Sequence, residues 1–126
     1  RRSSDLCLFG FPVYGEFARV LKPGGQLVQV DAGPDHLREL REIIYPTLKP
    51  QRPADSSAPD GFARQAEESV RFALRLDSQE AIADLLAMTP HLYRATPEGR
   101  ARAAALNTLN TTAEVKIVVW RRMIQD

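Results

Sequence analysis

The residues of this sequence that could do chemistry follow two of its apolar runs. Phe9, Gly10, Phe11 and Pro12 end the first run, and Asp31 ends the second. A glycine lets a ligand approach the backbone closely, an aromatic ring can stack on a flat ring, and a carboxylate can accept a proton. The same residues also suit a strand-to-helix turn with core aromatics and a solvated or helix-capping aspartate, so both interpretations stay open.

A third candidate group lies at the end of a predicted helix, in Met88, Thr89 and Pro90 and then in Tyr93 and Arg94. Tyrosine can stack on a flat ring, and the guanidinium group of arginine pairs well with phosphate. A helix breaker with a packed tyrosine is the alternative interpretation.

Metal chemistry is not indicated by the residue spacing. His36 and His91 have no Cys or His partners at metal-ligand spacing, so surface or capping roles are expected for them. Cys7 is the one cysteine and falls in a predicted buried strand, where it suits a small core residue. The sequence therefore predicts no metal site.

The elements that would position these residues follow from the spacing of apolar side chains. The run Leu6–Phe9 precedes an amphipathic helix that ends near Leu21. Lys22–Gly25, with its proline and two glycines, predicts a turn, and Gln26–Val30 predicts a buried strand. A β-α-β unit of this kind predicts a parallel pair of strands.

The rest of the chain extends the order to β-α-β-α-loop-β-α-α-β. The segment at about 50–66 combines breakers and small polar residues, which is typical of a mobile surface loop. The expected elements around it are a helix with an apolar stripe from Leu37 to Leu48, an alternating edge strand at Val70–Leu76, a helix capped by Asp77, an Ala-rich helix from Thr96 and Pro97 to about Leu106, and a final buried strand at Val115–Trp120.

Composition adds few constraints. The chain has 126 residues, and 17 Lys and Arg against 16 Asp and Glu give a net charge of +1, which favours no charged partner. No stretch approaches ~18 apolar residues, and the N-terminus carries no signal-peptide pattern. We therefore expect a cytoplasmic protein without a membrane partner.

Three segments resemble a known enzyme family. EFARVLKPGGQLVQV, from Glu16, is similar to the helix, turn and fifth strand of class I S-adenosylmethionine-dependent methyltransferases. GPDHLRELREIIY, from Gly33, and LLAMTPHLYRATPEGRARAAAL, from Leu85, resemble the 23S rRNA (guanine-N1)-methyltransferases of the RlmA type. The resemblance covers almost the whole chain apart from the loop between Pro50 and Glu67.

The resemblance implies an α/β fold, namely the C-terminal half of a Rossmann-like seven-stranded methyltransferase sheet. It would contain strands 4 to 7 with their flanking helices, and the last strand would insert antiparallel between its two predecessors. Residues 1–126 would form a partial methyltransferase domain. The half that binds S-adenosylmethionine and an N-terminal zinc-binding module are expected upstream of Arg1.

The resemblance also implies roles for the candidate residues. In this family the donor is S-adenosylmethionine and the acceptor is guanine N1 in a hairpin of 23S rRNA. Cofactor binding would then fall to Phe9–Phe11, substrate binding to Pro12 and to the Met88–Arg94 segment, and catalysis to Asp31, whose carboxylate could take the N1 proton. The fragment alone is expected to be inactive.

Six arginines could attract an RNA backbone, although solvated surface charge is the commoner explanation. They are Arg71, Arg75, Arg100, Arg102, Arg121 and Arg122.

Two other functions remain open at this point. A small-molecule methyltransferase would share the turn and the fold, but its Met88–Arg94 segment would line an apolar pocket. Alternatively, the chain could be a non-catalytic domain that dimerises or binds a partner. If the chain is half of a methyltransferase domain, the edge of its first strand, Leu6–Phe9, is exposed. We then expect the chain to self-associate through that edge.

Overall fold

The computed structural model describes residues 1–47 and 57–124. In chain order, the elements are β1 (Arg2–Leu8), α1 (Tyr14–Val20), β2 (Leu21–Ala32), α2 (Arg38–Ile44), β3 (Phe62–Leu76), α3 (Gln79–Ala87), α4 (His91–Arg94), α5 (Pro97–Ala104) and β4 (Leu109–Arg122).

The described residues divide into two compact units. The first, called the sheet unit, contains residues 1–33, 57–70 and 115–124. The second, called the helical unit, contains residues 34–47 and 71–114. The long strands β3 and β4 contribute residues to both units.

The sheet has the strand order β1-β2-β4-β3. β1 and β2 run parallel, whereas β2 and β4 run antiparallel, from Gln26 opposite Arg121 to Ala32 opposite Val115. The last strand of the chain therefore lies between its two predecessors, which confirms the insertion expected from the sequence.

The Lys22–Gly25 turn lies inside β2 and does not separate it from α1. The strand begins at Leu21, directly after the helix ends. Its pairing with β1 then jumps from Arg2 opposite Leu21 to Ser4 opposite Gln26. Six residues of β2, Leu21–Gln26, thus span three residues of β1, Arg2–Ser4, and the extra residues form a bulge in which Gly24 takes a φ of 79°. The predicted turn exists, but the strand around it is longer than expected.

The core of the sheet unit lies under α1. Leu21, Leu27 and Trp120 are buried together with Cys7, as expected for the cysteine, and with Phe62. Phe62 is the first residue of β3, so residues 62–66 are strand and the predicted loop boundary at 66 is wrong. The reason is that one buried aromatic side chain, which contributes about 1.5–3 kcal/mol, outweighs the polar composition around it. Residues 50–56 of that predicted loop lie outside the described residues.

The helical unit packs α2, α3 and α5 around a second core. Leu40, Ile44, Ile82, Leu86 and Ala103 are among its buried residues. The helices α2 and α3 therefore present apolar stripes, as their spacing predicts, whereas α5 packs through Gly99 and Ala103. Leu48, the last residue of the predicted stripe of α2, lies outside the described residues.

A single carboxylate joins α2 to β4 inside the helical unit. Glu39 accepts hydrogen bonds from the hydroxyl groups of Thr111 and Thr112 and from the backbone N–H of Thr112, each at 3.0 Å. Burial raises the pKa of Glu39, but these bonds and one from its own backbone outweigh burial and lower it. The ionised carboxylate is thus the form that the fold stabilises.

Two helices of this unit begin with side-chain caps. The hydroxyl of Ser78 accepts from the N–H of Ala81 at 3.1 Å, so Ser78 is the N-cap of α3 and the prediction of Asp77 is wrong. Serine and aspartate cap equally well, so sequence preference cannot choose between neighbours. Thr96 caps α5 with Pro97 in its first turn, which confirms that prediction.

The helices α2 and α5 meet at a glycine. A Cβ atom at Gly99 would overlap the backbone carbonyl group of Ile44, the last residue of α2. Beside it, Arg102 donates from Nε to the carbonyl oxygen of Ile43 at 2.7 Å. The arginine satisfies a free carbonyl at the negative end of α2, and the glycine lets the two backbones approach.

We expect Gly99→Ala to lower the free energy of unfolding by about 1–3 kcal/mol, because α2 and α5 must move apart. Gly15→Ala is the matched control, since Gly15 lies in α1 with nothing within 4 Å of the added methyl group. That change should stabilise by up to about 1 kcal/mol, as alanine does in a helix. Urea unfolding measures both, and equal effects of the two changes would contradict this packing.

Two histidines of the helical unit are held in their neutral form. Burial, and next the charge of Arg41, lower the pKa of His36, with Glu114 acting in the opposite direction. Burial also lowers the pKa of His91, followed by the charges of Arg41 and Arg94. The Nδ1 atom of His36 accepts from the backbone N–H of Glu114 at 3.0 Å, which a protonated ring could not do.

Stability should therefore fall as the pH drops through the ordinary histidine range. The unfolded chain binds protons near pH 6.5 while both folded histidines resist them, so unfolding is favoured below that pH. Melting temperatures at pH 7.5 and 5.5 test this, and the double change His36→Gln with His91→Gln should flatten the dependence. An unchanged slope in the double variant would disprove the assignment.

Candidate functional site

The carboxyl ends of β1 and β2 meet at one edge of the sheet. The backbone N–H of Phe9 donates to the carbonyl oxygen of Val30 at 2.8 Å, one residue before Asp31. The sequence predicted that Asp31 and the Phe9–Pro12 segment share this rim, and the backbone geometry agrees.

The Phe9–Pro12 segment forms an exposed loop. Phe9 has the left-handed φ of 50°, and Phe11 is 98% exposed. A Cβ at Gly10 would meet only ordinary contacts, the nearest being Cys7 Sγ at 3.4 Å. The role in cofactor binding that the resemblance implies for Phe9, Gly10 and Phe11 stays a prediction.

A cavity of about 780 Å³ lies in the sheet unit next to Asp31. Its lining comes from the start of α1, the last residues of β2, the segment before β3, Arg64 of β3 and the part of β4 that pairs with β2. The residues that line it are Tyr14, Gly15, Gln29, Asp31, Ala32, Ser57, Ala58, Pro59, Asp60, Arg64, Lys116, Val118 and Trp120. This volume is typical of a ligand site.

A hydrogen-bond network fixes the polar wall of the cavity. The hydroxyl of Tyr14 and the indole Nε1 of Trp120 both donate to Gln29 Oε1 at 2.9 Å. With its oxygen engaged twice, the amide of Gln29 turns its nitrogen to Asp31 and donates to Oδ2 at 2.8 Å. The core tryptophan thus sets the orientation of a carboxylate at the cavity wall.

The lining residues from β3 and β4 add positive charge to the cavity. Lys116 Nζ lies 2.9 Å from Glu67 Oε1, and Arg64 pairs with the other oxygen of Glu67 at 2.9 Å. The hydrogen bond from Lys116 lowers the pKa of Glu67 most, and the charges of Lys116 and Arg64 add to it. The guanidinium group of Arg64 also lies 5.3 Å from the ring centre of Trp120, within cation–π distance.

Four of these cavity residues were missed as site residues by sequence reasoning. Tyr14, Gln29, Lys116 and Trp120 occur in patterns typical of a helix start or of buried strands. The one available signal was the polar residue Gln29, which stands two positions before Asp31 and between two valines of the predicted strand.

The Met88–Arg94 segment belongs to the helical unit. Met88 and Tyr93 are 82% and 85% exposed, so the alternative of a packed tyrosine is wrong. Thr89 donates to the carbonyl oxygen of Leu86 and accepts from the N–H of His91, and Pro90 precedes α4. The segment ends one helix and starts the next, and its expected role in substrate binding stays a prediction.

The arginines proposed as an RNA-binding patch are largely engaged in structural contacts. Arg71 pairs with Asp35 and Glu114, and Arg75 pairs with Asp77. Arg102 and Arg122 donate to backbone carbonyl groups of other elements. These four arginines thus have partners within the chain, and a role for them in RNA binding stays a prediction.

Among the described residues, no group of three or more His, Cys, Asp and Glu side chains could hold a metal ion. No helix in the described part of the chain is long and apolar enough to span a membrane.

The strand order β1-β2-β4-β3, with β4 antiparallel to β2, is the order that the resemblance implies for the C-terminal half of a methyltransferase sheet. Comparison with known proteins confirms the resemblance to the 23S rRNA guanine-N1 methyltransferases and makes it quantitative.

Two curated relatives carry that name. The chain is 33% identical over 119 residues to "Putative 23S rRNA (guanine-N(1)-)-methyltransferase YxjB" of Bacillus subtilis (strain 168). It is 35% identical over 94 residues to the 23S rRNA (guanine(748)-N(1))-methyltransferase of Streptomyces fradiae. The matches cover 90% and 71% of this chain, but 42% and 33% of the two relatives. The chain therefore spans less than half the length of each.

The chain is also similar to a solved structure from Bacillus halodurans C-125, described as "a putative methyltransferase". The alignment covers 98% of this chain and 65% of the chain in that structure. The TM-score is 0.46 and the sequence identity is 14%. No protein-family model matches the chain.

The network can be tested by stability. Tyr14→Phe removes one donor to Gln29 and keeps the ring that packs edge-on against Phe62. We expect a loss of about 0.5–1.5 kcal/mol in the free energy of unfolding. The matched control is Tyr93→Phe, because that tyrosine is exposed and its change should have no effect. Urea unfolding followed by the fluorescence of the single tryptophan measures both, and equal values would contradict the network.

Proposed function

We propose that this chain is the acceptor-side half of an S-adenosylmethionine-dependent methyltransferase that acts on guanine N1 of 23S rRNA in the cytoplasm. The observation that supports it most is the 33% identity over 119 residues to a relative of that name. The strand order supports the same assignment independently, because it corresponds to strands 4 to 7 of such a sheet.

In this proposal Asp31 is the general base. Its carboxylate lies at the carboxyl end of β2, where open α/β sheets bind their ligands, and it lines the cavity. As guanine N1 is methylated, its N–H bond breaks, the new N–CH₃ bond forms with the methyl group released by the sulfonium donor, and Asp31 takes the proton. A positioned base of this kind contributes about 10²–10⁴-fold to the rate.

The exposed edge of β1 supports a second part of the proposal. β1 is an edge strand, and Leu6, Leu8 and Phe9 are each more than half exposed. Unpaired, apolar strand edges tend to pair with another strand. The chain alone would use this edge for self-association, and a donor-binding half would cover it in the complete enzyme.

The test joins this chain to the N-terminal part of the Bacillus subtilis relative. The fusion should transfer radiolabelled methyl groups from S-adenosylmethionine to a 23S rRNA hairpin, and reverse transcription should stop at the methylated guanine. The 126-residue chain should not do so. In sedimentation the chain alone should self-associate, whereas the fusion should not.

Asp31→Asn in the fusion should slow methyl transfer by about 10²–10⁴-fold. Asp84→Asn is the control, since Asp84 is an exposed residue of α3 in the helical unit. Methylation by the 126-residue chain alone, or full activity of the Asp31 variant, would count against the proposal.

A further inference from the structure

We propose that the 780 Å³ cavity binds the guanine base by its Watson–Crick edge, with Asp31 accepting from N1–H and the N2 amino group and Lys116 donating to O6. Gln29 is the positioning residue that holds Asp31 for this contact. The inference rests on the proposed function and extends it, because it assigns the determinants of base specificity to three side chains of this chain.

The sheet register places Asp31 and Lys116 on the same face. They are direct partners in the antiparallel pairing of β2 with β4, and directly opposed residues project to the same side of a sheet. Both side chains line the cavity. They form no ion pair with each other, since Lys116 pairs with Glu67, so acceptor and donor are presented side by side.

Asp31 keeps acceptor capacity for a ligand. Among the described residues, Gln29 is its hydrogen-bond donor, and that bond engages Oδ2. An ionised carboxylate has about four lone-pair sites, so Oδ1 can accept from a ligand. Because Tyr14 and Trp120 hold Gln29 from the other side, the carboxylate is fixed in one orientation before a base arrives.

Lys116 keeps donor capacity in the same way. Its ammonium group has three N–H donors, and Glu67 accepts one of them at 2.9 Å. The other donors are free to meet a carbonyl oxygen such as guanine O6.

The arrangement matches guanine and opposes adenine. Guanine presents two adjacent donors, N1–H and N2–H₂, next to the acceptor O6. Adenine presents an acceptor at N1 and a donor at N6, which would face the carboxylate of Asp31 and the ammonium of Lys116 with the wrong polarity. An unpaired polar group in a binding site costs about 1–3 kcal/mol, so the discrimination should be large.

The lining also provides aromatic surface. Tyr14 lines the cavity and is partly exposed, and aromatic side chains stack on bases with little regard to sequence. Stacking would supply affinity, while the polar pair would supply the choice of base.

Trp120 makes the test direct, because it is the single tryptophan of the chain and lines the cavity. Titration of the unmodified 126-residue chain with guanosine should quench its fluorescence and saturate. Inosine, which lacks the N2 amino group, should bind about tenfold more weakly. Adenosine should leave the signal unchanged, and equal effects of guanosine and adenosine would overturn the inference.

Lys116→Met should weaken guanosine binding by about tenfold or more, with circular dichroism checking that the variant is folded. The matched control is Lys22→Met, because Lys22 lies in the exposed turn of β2 and does not line the cavity. Unchanged guanosine affinity in folded Lys116→Met would also overturn the inference.

The two proposals fail in different ways. If the fusion does not methylate RNA but guanosine binds with the expected pattern, the base site stands and the proposed function fails. If the fusion methylates RNA and Lys116→Met leaves its KM unchanged, the proposed function stands and this assignment of the cavity is wrong.

Discussion

The antiparallel pairing of β4 with β2 is the constraint on which the sheet unit depends. It places alternate residues of the two strands on one face, so that Leu27 and Trp120 form the core while Asp31 and Lys116 line the cavity. A shift of the pairing by one residue would turn every one of these side chains to the other face. One register therefore fixes both the stability of this unit and the chemistry of its site.

The amide of Gln29 connects these two roles. It accepts from Tyr14 and Trp120, which pack with the core, and it donates to Asp31 at the cavity. Each hydrogen bond of this network contributes only about 1 kcal/mol to stability. Together, the bonds restrict the rotation of the Asp31 carboxylate. A site held in this way loses little conformational entropy when a ligand binds.

The sequence predicted the types and order of the elements well, but not their ends. Strong hydrophobic periodicity and the resemblance gave the four strands and the insertion of β4. The Lys22–Gly25 turn is a bulge inside β2 because pairing with β1 extends that strand, and β3 begins at Phe62, whose side chain is buried in the core of the sheet unit. The N-cap of α3 moved from Asp77 to Ser78. In each case the local sequence is compatible with more than one end for the element, and tertiary contacts determine which end is observed.

The position of Asp31 at the carboxyl end of an apolar strand could be predicted from the sequence alone, and this is the edge where open α/β sheets bind ligands. Its partners could not. Gln29 is two residues away, but Tyr14, Lys116 and Trp120 come from a helix and a strand that only the folded sheet brings to it. The sequence therefore determined which elements form and where a carboxylate ends a strand. The tertiary structure decided which donors surround that carboxylate, because strand register and side-chain hydrogen bonds depend on contacts far apart in the chain.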